Sequence, residues 1–183
     1  MGADIISILP GGSRNGRVKK PPKNSMIVGN AGLKLEIQQK GVLEKVKKFS
    51  VSATDYVEIL NLYSAYNLAS DSGDAEWYAN CFTEDGEQHG TFDVIGRPAL
   101  VEYKKKDFAT RAHLYRRHWN GSLHLEQIDA TTIRGRCYLF GYNGDPGTLP
   151  HMTHAGVYTD TIKRENGEWK FAHRRLLFDG VKK

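Results

Sequence analysis

The sequence predicts an α+β domain in which three helices pack on one face of a curved, mostly antiparallel sheet. Three observations predict it. Residues 52–109 carry helix starts, good helix formers and 3.6-residue periodicity. Residues 113–178 carry four runs rich in Tyr, Thr, Ile, Val, Phe and Trp, the residues that suit a pleated, half-buried surface. Tight turns separate those runs, so the second half reads as a meander behind a helical first half.

The elements follow in order. Ser52-x-x-Asp55 opens the first helix as a variant of the capping box. Stepping about 100° per residue from Tyr63 puts Tyr56, Ile59, Leu60, Tyr63, Tyr66, Asn67, Ser70 and Asp71 on one stripe. The stripe is apolar at first and polar in its last turn, so this helix runs from a core into a wetter place and stops at "SDSGD". A short second helix is expected over 74–82, then a turn into a strand over 83–92. Pro98 near a first turn begins a third helix over 96–109. Strands are expected over 113–127, 131–143, 153–165 and 168–178, joined at Asp129-Ala130 and at Glu165-Asn166-Gly167. Asn-Gly tolerates positive φ, which makes the last pair a hairpin.

Composition bounds the function. At 39% hydrophobic and 26% charged, the 183 residues belong to the ordinary globular class. No apolar run approaches the ~20 residues that cross a bilayer, and Ile5–Leu9 is too short for a signal core. A cytoplasmic protein without a membrane span is expected. Cys81 and Cys137 define no disulfide framework. The net charge of +5 is unevenly placed: residues 1–50 hold 10 Lys/Arg against 3 Asp/Glu, residues 51–183 hold 16 against 18. A basic, flexible extension over 1–50, with a short amphipathic helix over 33–49, therefore precedes a domain over 51–183. That domain carries no polyanion signal, so nucleic acid is excluded as a partner.

The stretch "YRRHW" at 115–119 concentrates chemistry at the start of a strand. His118 has three readings there: core histidine, metal ligand or proton shuttle. Strict alternation groups it with Arg116, Asn120, Ser122 and His124, opposite Trp119, Leu123 and Leu125, although Leu123 and Leu125 look like core. If His118 also faces inward, the strand needs a bulge near Asn120-Gly121. His151-x-x-His154 lacks a third ligand, and no metal site is expected. His89 sits where a strand lip reaches a cavity, and His154 lines it if its strand face points inward. Arg174-Arg175 suits a rim ion pair, an oligomer contact or an acidic substrate group.

Taken together, "LNLYSAYNLASDSGDAEWYANCFTEDG" (60–86), "IGRPAL" (95–100), "YRRHW" and "GVYTDTIKRENGEWKFAHRRLLFD" (156–179) resemble the SnoaL-like branch of the nuclear transport factor 2-like superfamily. The resemblance implies a cone-shaped α+β barrel with a pocket between helices and sheet. It is similar to scytalone dehydratase, a bile-acid dehydratase, a dehydrochlorinase and polyketide cyclases, several of which pair an Asp ending the first helix with a His on the sheet. Those positions are Asp71 and His118 here, and Tyr66 falls where the dehydratases keep a substrate-polarising tyrosine. The bile-acid enzyme's second carboxylate falls near Gly141, and the scytalone enzyme's pocket Ser and Asn near Gly156 and Tyr158, so substrate identity does not transfer.

The implied function is a lyase or isomerase that needs no metal or organic cofactor. Its substrate is a small hydrophobic, cyclic or polyketide-like molecule. In that reading His118 is the base, Asp71 orients it, Tyr66 polarises the substrate, and Tyr63, Asn67, His89, Tyr138 and His154 line the pocket. A carboxylate on one imidazole nitrogen fixes the tautomer and stabilises the imidazolium as it forms. Two rivals share the fold: a non-catalytic scaffold like the β subunits of ring-hydroxylating dioxygenases, and a module that binds a hydrophobic ligand. Such relatives self-associate through the sheet, and a homotrimer is favoured over a dimer.

Overall fold

The computed structural model describes residues 51–180. The basic extension and the helix expected over 33–49 lie outside the described residues. Three helices, α1 (Ala53–Ser72), α2 (Ala75–Asn80) and α3 (Arg97–Arg111), pack on one six-stranded sheet. The strands are β1 (Phe82–His89), β2 (Val94–Ile95), β3 (Tyr115–Asp129), β4 (Thr132–Gly144), β5 (His151–Glu165) and β6 (Glu168–Phe178). Their order is β2-β1-β6-β5-β4-β3. Only β1 and β6 run parallel. The curved sheet does not close, and β2 and β3 are its edges.

Each helix begins where its residues dictate. Ser52 is extended, and its hydroxyl oxygen accepts the Asp55 N–H at 3.1 Å, which satisfies one of the orphan donors at the start of α1. Asp55 also accepts the Trp169 indole N–H at 3.0 Å and pairs with Arg164, tying the start of α1 to the β5–β6 hairpin. That hairpin turns on Asn166 and Gly167, both at positive φ. Gly73 ends α1 in the left-handed conformation, φ 77°. The Phe108 ring lies where a Cβ on Gly73 would stand, so only glycine lets α3 close over this end.

The buried face of α1 is rotated from the expected stripe. Ile59, Leu62, Tyr63, Tyr66, Ala69 and Ser70 are buried, whereas Tyr56 and Leu60 are exposed. The sheet picks the face bearing small Ala69 and long Leu62, and tertiary contact overrides the drawn stripe. The two-residue β2 carries no periodicity and was not expected. On the sheet's inner face Ile133, Leu139, Ile162 and Phe171 meet Ile59, Phe82 and Leu100, all at most 1% exposed. Each such side chain contributes about 1.5–3 kcal/mol through burial.

Candidate active site

The last turn of α1 faces the start of β3. On β3 the side chains of Arg116, His118 and Asn120 all turn toward α1. Asp71 Oδ1 lies 2.5 Å from His118 Nδ1, and Asp71 Oδ2 accepts the His118 backbone N–H at 3.0 Å. One turn earlier, Asn67 Nδ2 donates to Asn120 Oδ1 at 2.8 Å. Leu125 on the same strand is nevertheless core. The change of parity is made by a bulge between Gly121 and His124, where Ser122 takes φ 55°. The bend expected near Asn120-Gly121 is therefore present, and it lets an active-site face and a core face share one strand.

A cationic brace lies behind Asp71. Arg116, 3% exposed, donates to the Ser70 carbonyl at 3.2 Å and to Asp107 Oδ2 at 3.0 Å. Lys104, also buried, donates to the Ser70 hydroxyl at 2.9 Å and to Asp107 at 3.1 Å. These charges offset the negative end of the α1 dipole, where a carboxylate would otherwise be disfavoured. Burial pushes the Asp71 carboxyl up, yet the His118 hydrogen bonds and charge, with Arg116 beyond, outweigh it and hold the group below its ordinary value. Asp71 is an anion at neutral pH. His118 Nδ1–H then donates to Asp71, which leaves Nε2 as the nitrogen with the free lone pair.

His154 joins this pair across the sheet. Register places His118 opposite Gly141 and Gly141 opposite His154. A Cβ at Gly141 would meet the His154 ring at 2.1 Å. The absent side chain gives the ring its place, and the His118 and His154 centroids stand 5.7 Å apart, edge to face. Thr153 Oγ1 lies 2.9 Å from His154 Nδ1. Burial, then the His118 charge, push the His154 imidazole down. It is neutral at pH 7. The position that lacks a carboxylate thus holds a second imidazole.

Other expected residues fall elsewhere. Tyr66 is buried in an aromatic cluster, its hydroxyl 3.4 Å from that of Tyr78 and 3.5 Å from Gln88 Oε1, with Tyr158 and Phe171 against its ring. Burial pushes its phenol well above the ordinary value. Tyr63 is buried too and donates to Asp160 Oδ2 at 2.5 Å. Tyr138 and His89 are corrections. Tyr138 alternates with core Cys137 and Leu139, so it stands on the outer face, 52% exposed. His89 alternates with Gln88, which reaches inward to Tyr66 and Tyr78, so it too faces outward. Of the eight expected residues, Asp71, His118, Asn67 and His154 come together.

The sequence reading missed two groups. Lys104 and Asp107, spaced i, i+3 on α3 and largely buried together, were not singled out. Arg174 was placed at a rim, but it is wholly buried, 3.6 Å from Asp160 and 3.7–4.8 Å from the ring centres of Tyr158, Tyr66, Phe171 and Tyr63. Alternation with Tyr158 and Ile162 marks Asp160 as inward, but Arg174 lies three residues from inward Phe171, and an extra residue in β6 opposite Thr161–Ile162 brings it in as the register partner of Asp160.

The described residues form an α+β fold with an Asp–His pair set between the first helix and the sheet. Residues 51–175 match the SnoaL-like domain, and the chain belongs to that family. Among solved structures it is similar to a protein of unknown function from Mycobacterium tuberculosis, 29% identical, covering 71% of this chain and 79% of that one with TM-score 0.64. It is similar to ActVI-ORFA from Streptomyces coelicolor, 23% identical, covering 70% and 97%, TM-score 0.66. A candidate scytalone dehydratase from Novosphingobium aromaticivorans is 23% identical, covering 68% and 84%, TM-score 0.60. No curated protein matches the sequence.

Proposed function

We propose that this protein is a lyase or isomerase of the dehydratase or cyclase type. The observation that carries the reading is the two-point contact of Asp71 with His118 beside His154. His118 Nε2 takes a proton from carbon next to a carbonyl, and Asp71 stabilises the imidazolium. The same nitrogen then returns the proton to a leaving hydroxyl, to the ring-closing oxygen or to a new carbon. General-base help of this kind is worth roughly 10²–10⁴ in rate. The chemistry uses only these side chains. Neutral His154 and the Asn67–Asn120 pair are placed to orient substrate polar groups. The half-buried Phe178 ring, 5.8 Å from His154, offers an apolar wall, consistent with a hydrophobic cyclic or polyketide-like substrate. Tyr66 polarises that substrate only if its hydroxyl leaves Tyr78 and Gln88.

The test uses aromatic-fused β-hydroxy ketones as probes in D₂O. Proton NMR reads deuterium entering the carbon next to the carbonyl. Exchange by the full chain that falls at least a hundredfold in His118→Ala supports the reading. Equal exchange in the variant, or none with the whole set, overturns it.

One observation favours the scaffold alternative. Arg174 fills the space between Tyr63, Tyr66 and Tyr158, where an open pocket would reach the core. A second copy of the chain is the proposed partner, and a trimer the proposed assembly. The outer sheet face exposes Trp119, Tyr138, Phe140 and Leu177 at 38–68%, a patch of the kind that marks an interface. Light scattering on the full chain and on Trp119→Lys tests it: a trimer that the variant loses is expected.

A further inference from the structure

On the outer face of the sheet, away from the Asp71–His118 pair, three potential ligands converge. The parallel pairing of β1 with β6 sets Glu87 opposite His173 and His89 opposite Arg175. The ligand atoms of Glu87, His89 and His173 all lie within 4.8 Å of one another. His89 Nε2 is 3.0 Å from Glu87 Oε2. Its other nitrogen, Nδ1, is 2.8 Å from Asp93 Oδ1. The two imidazoles stack with centroids 4.7 Å apart. Beside them opens a cleft of about 290 Å³, lined also by Asp93 and Arg175.

The chemistry of this set is that of a divalent cation. Two imidazoles and a carboxylate are an established zinc donor set, and three protein ligands leave a fourth position for water or a substrate atom. Bonds of ~2.0–2.2 Å in a tetrahedron put neighbouring donor atoms about 3.3 Å apart, close to the Nε2–Oε2 separation here. The Asp93 carboxylate on Nδ1 does for His89 what outer carboxylates do for metal-bound histidines: it fixes the tautomer that turns Nε2 toward the ion. Glu87 and His173 are both partly exposed. With neutral imidazoles, Glu87 and Asp93 against Arg175 leave one net negative charge, so a cation is attracted. Nothing local in the sequence announces the set, because His173 lies 84 residues beyond His89 and meets it only through the β1–β6 pairing.

We propose that Glu87, His89 and His173 form a zinc-type divalent-cation site with Asp93 as its orienting residue. The site is separate from the proposed proton-transfer pair and does not depend on it. Residues 1–50 contain no His or Cys, so the full chain adds no competing soft ligand from there. The test is titration of the chelator-stripped full chain with zinc alone at neutral pH, read by competition with a chromophoric chelator. One zinc per chain is expected, weakened at least tenfold in His89→Ala and in His173→Ala and unchanged in His118→Ala. Asp93→Asn is the second variant. That side chain is 71% exposed, so it leaves the fold intact, and roughly 10–100-fold weaker zinc binding is expected from loss of an outer-shell partner. No bound zinc overturns the proposal. So does binding that survives His89→Ala and His173→Ala, or that is lost in His118→Ala instead.

Discussion

Asp71 holds His118 at two points, the ring Nδ1 at 2.5 Å and the backbone N–H at 3.0 Å. A carboxylate that clamps both a ring and its own strand fixes the ring's direction as well as its tautomer. The imidazole stands at the end of β3 nearest α1 with Nε2 as its remaining basic atom. Arg116 and Lys104 hold the helix end that carries the clamp.

The clamp predicts a pH dependence. Asp71 is held below its ordinary value of 3.8, so the folded chain binds that proton less tightly than the unfolded chain. Its contribution is complete above about pH 4 and drains away as pH falls through the lowered folded value. Asp71→Asn should cost about 1.5–3 kcal/mol at pH 7, the range for hydrogen bonds to a charged group. Urea unfolding at pH 7 and pH 3 should show that gap narrowing in acid. A gap that widens in acid would mean the carboxylate is not the stabilising form. The same variant offers His118 an amide in place of the anion, and probe exchange should fall roughly 10²–10⁴-fold.

Gly141 predicts the role of His154. A methyl at this position meets the His154 ring at 2.1 Å, and its neighbours are the strands bearing both imidazoles. Gly141→Ala should displace His154 and cost about 1–3 kcal/mol, the usual range for overpacking. If His154 orients substrate, the variant loses affinity for the probe while retaining His118-dependent exchange at saturation. If His154 only fills space, affinity is unchanged. Thermal unfolding with probe titration separates the two outcomes.

Arg174 and Asp160 predict how the core tolerates charge. Burial pushes the Asp160 carboxyl up to about 6, against the pull of Arg174 and the Tyr63 hydroxyl. The folded chain therefore binds this proton more tightly than the unfolded chain, and the associated stability is full below about pH 4 and lost as pH rises through 6. Arg174→Met removes the buried cation that favours the ionised Asp160 carboxylate. Breaking a buried pair typically costs about 3–5 kcal/mol. That loss should appear in full at pH 8, where Asp160 must ionise or stay protonated at a cost, and be smaller at pH 5, where it takes a proton. Denaturation at both pH values reads it, and equal losses would place the destabilisation in packing alone.

The elements were legible in the sequence because each carries local instructions: Ser52 with Asp55, Pro98, Asn166-Gly167 and alternation in β4 and β5. The dyad was legible only through the family pattern, since Asp71 and His118 are 47 residues apart and no spacing links them. His89 was misplaced because which face of a strand points inward depends on register, and β1 pairs in parallel with the last strand rather than with a neighbour in sequence. Tyr138 was misplaced although alternation with Cys137 and Leu139 puts it on the outer face. Arg174 was misread because charge in a strand usually means solvent, whereas here four aromatic rings enclose it.

The bulge at Ser122 predicts the last result. It carries φ 55°, a left-handed conformation that a serine adopts at a cost. Upstream, Arg116, His118 and Asn120 face α1; downstream, Leu125 faces the core. Deleting Ser122 removes the extra residue and leaves His118 and Leu125 an even number of positions apart, so plain alternation without a bulge keeps both on the inner face. His118 keeps Asp71 and Leu125 keeps the core. The deletion should therefore fold and retain exchange. Ser122→Gly keeps the extra residue and relieves the conformational strain. It should retain activity with stability within about 1 kcal/mol of the parent, because the relief and glycine's larger loss of backbone freedom oppose each other. Circular dichroism, urea unfolding and probe exchange on the two variants check this. A deletion variant that unfolds or loses exchange would show that the bend at the bulge, and not parity alone, sets the direction of His118.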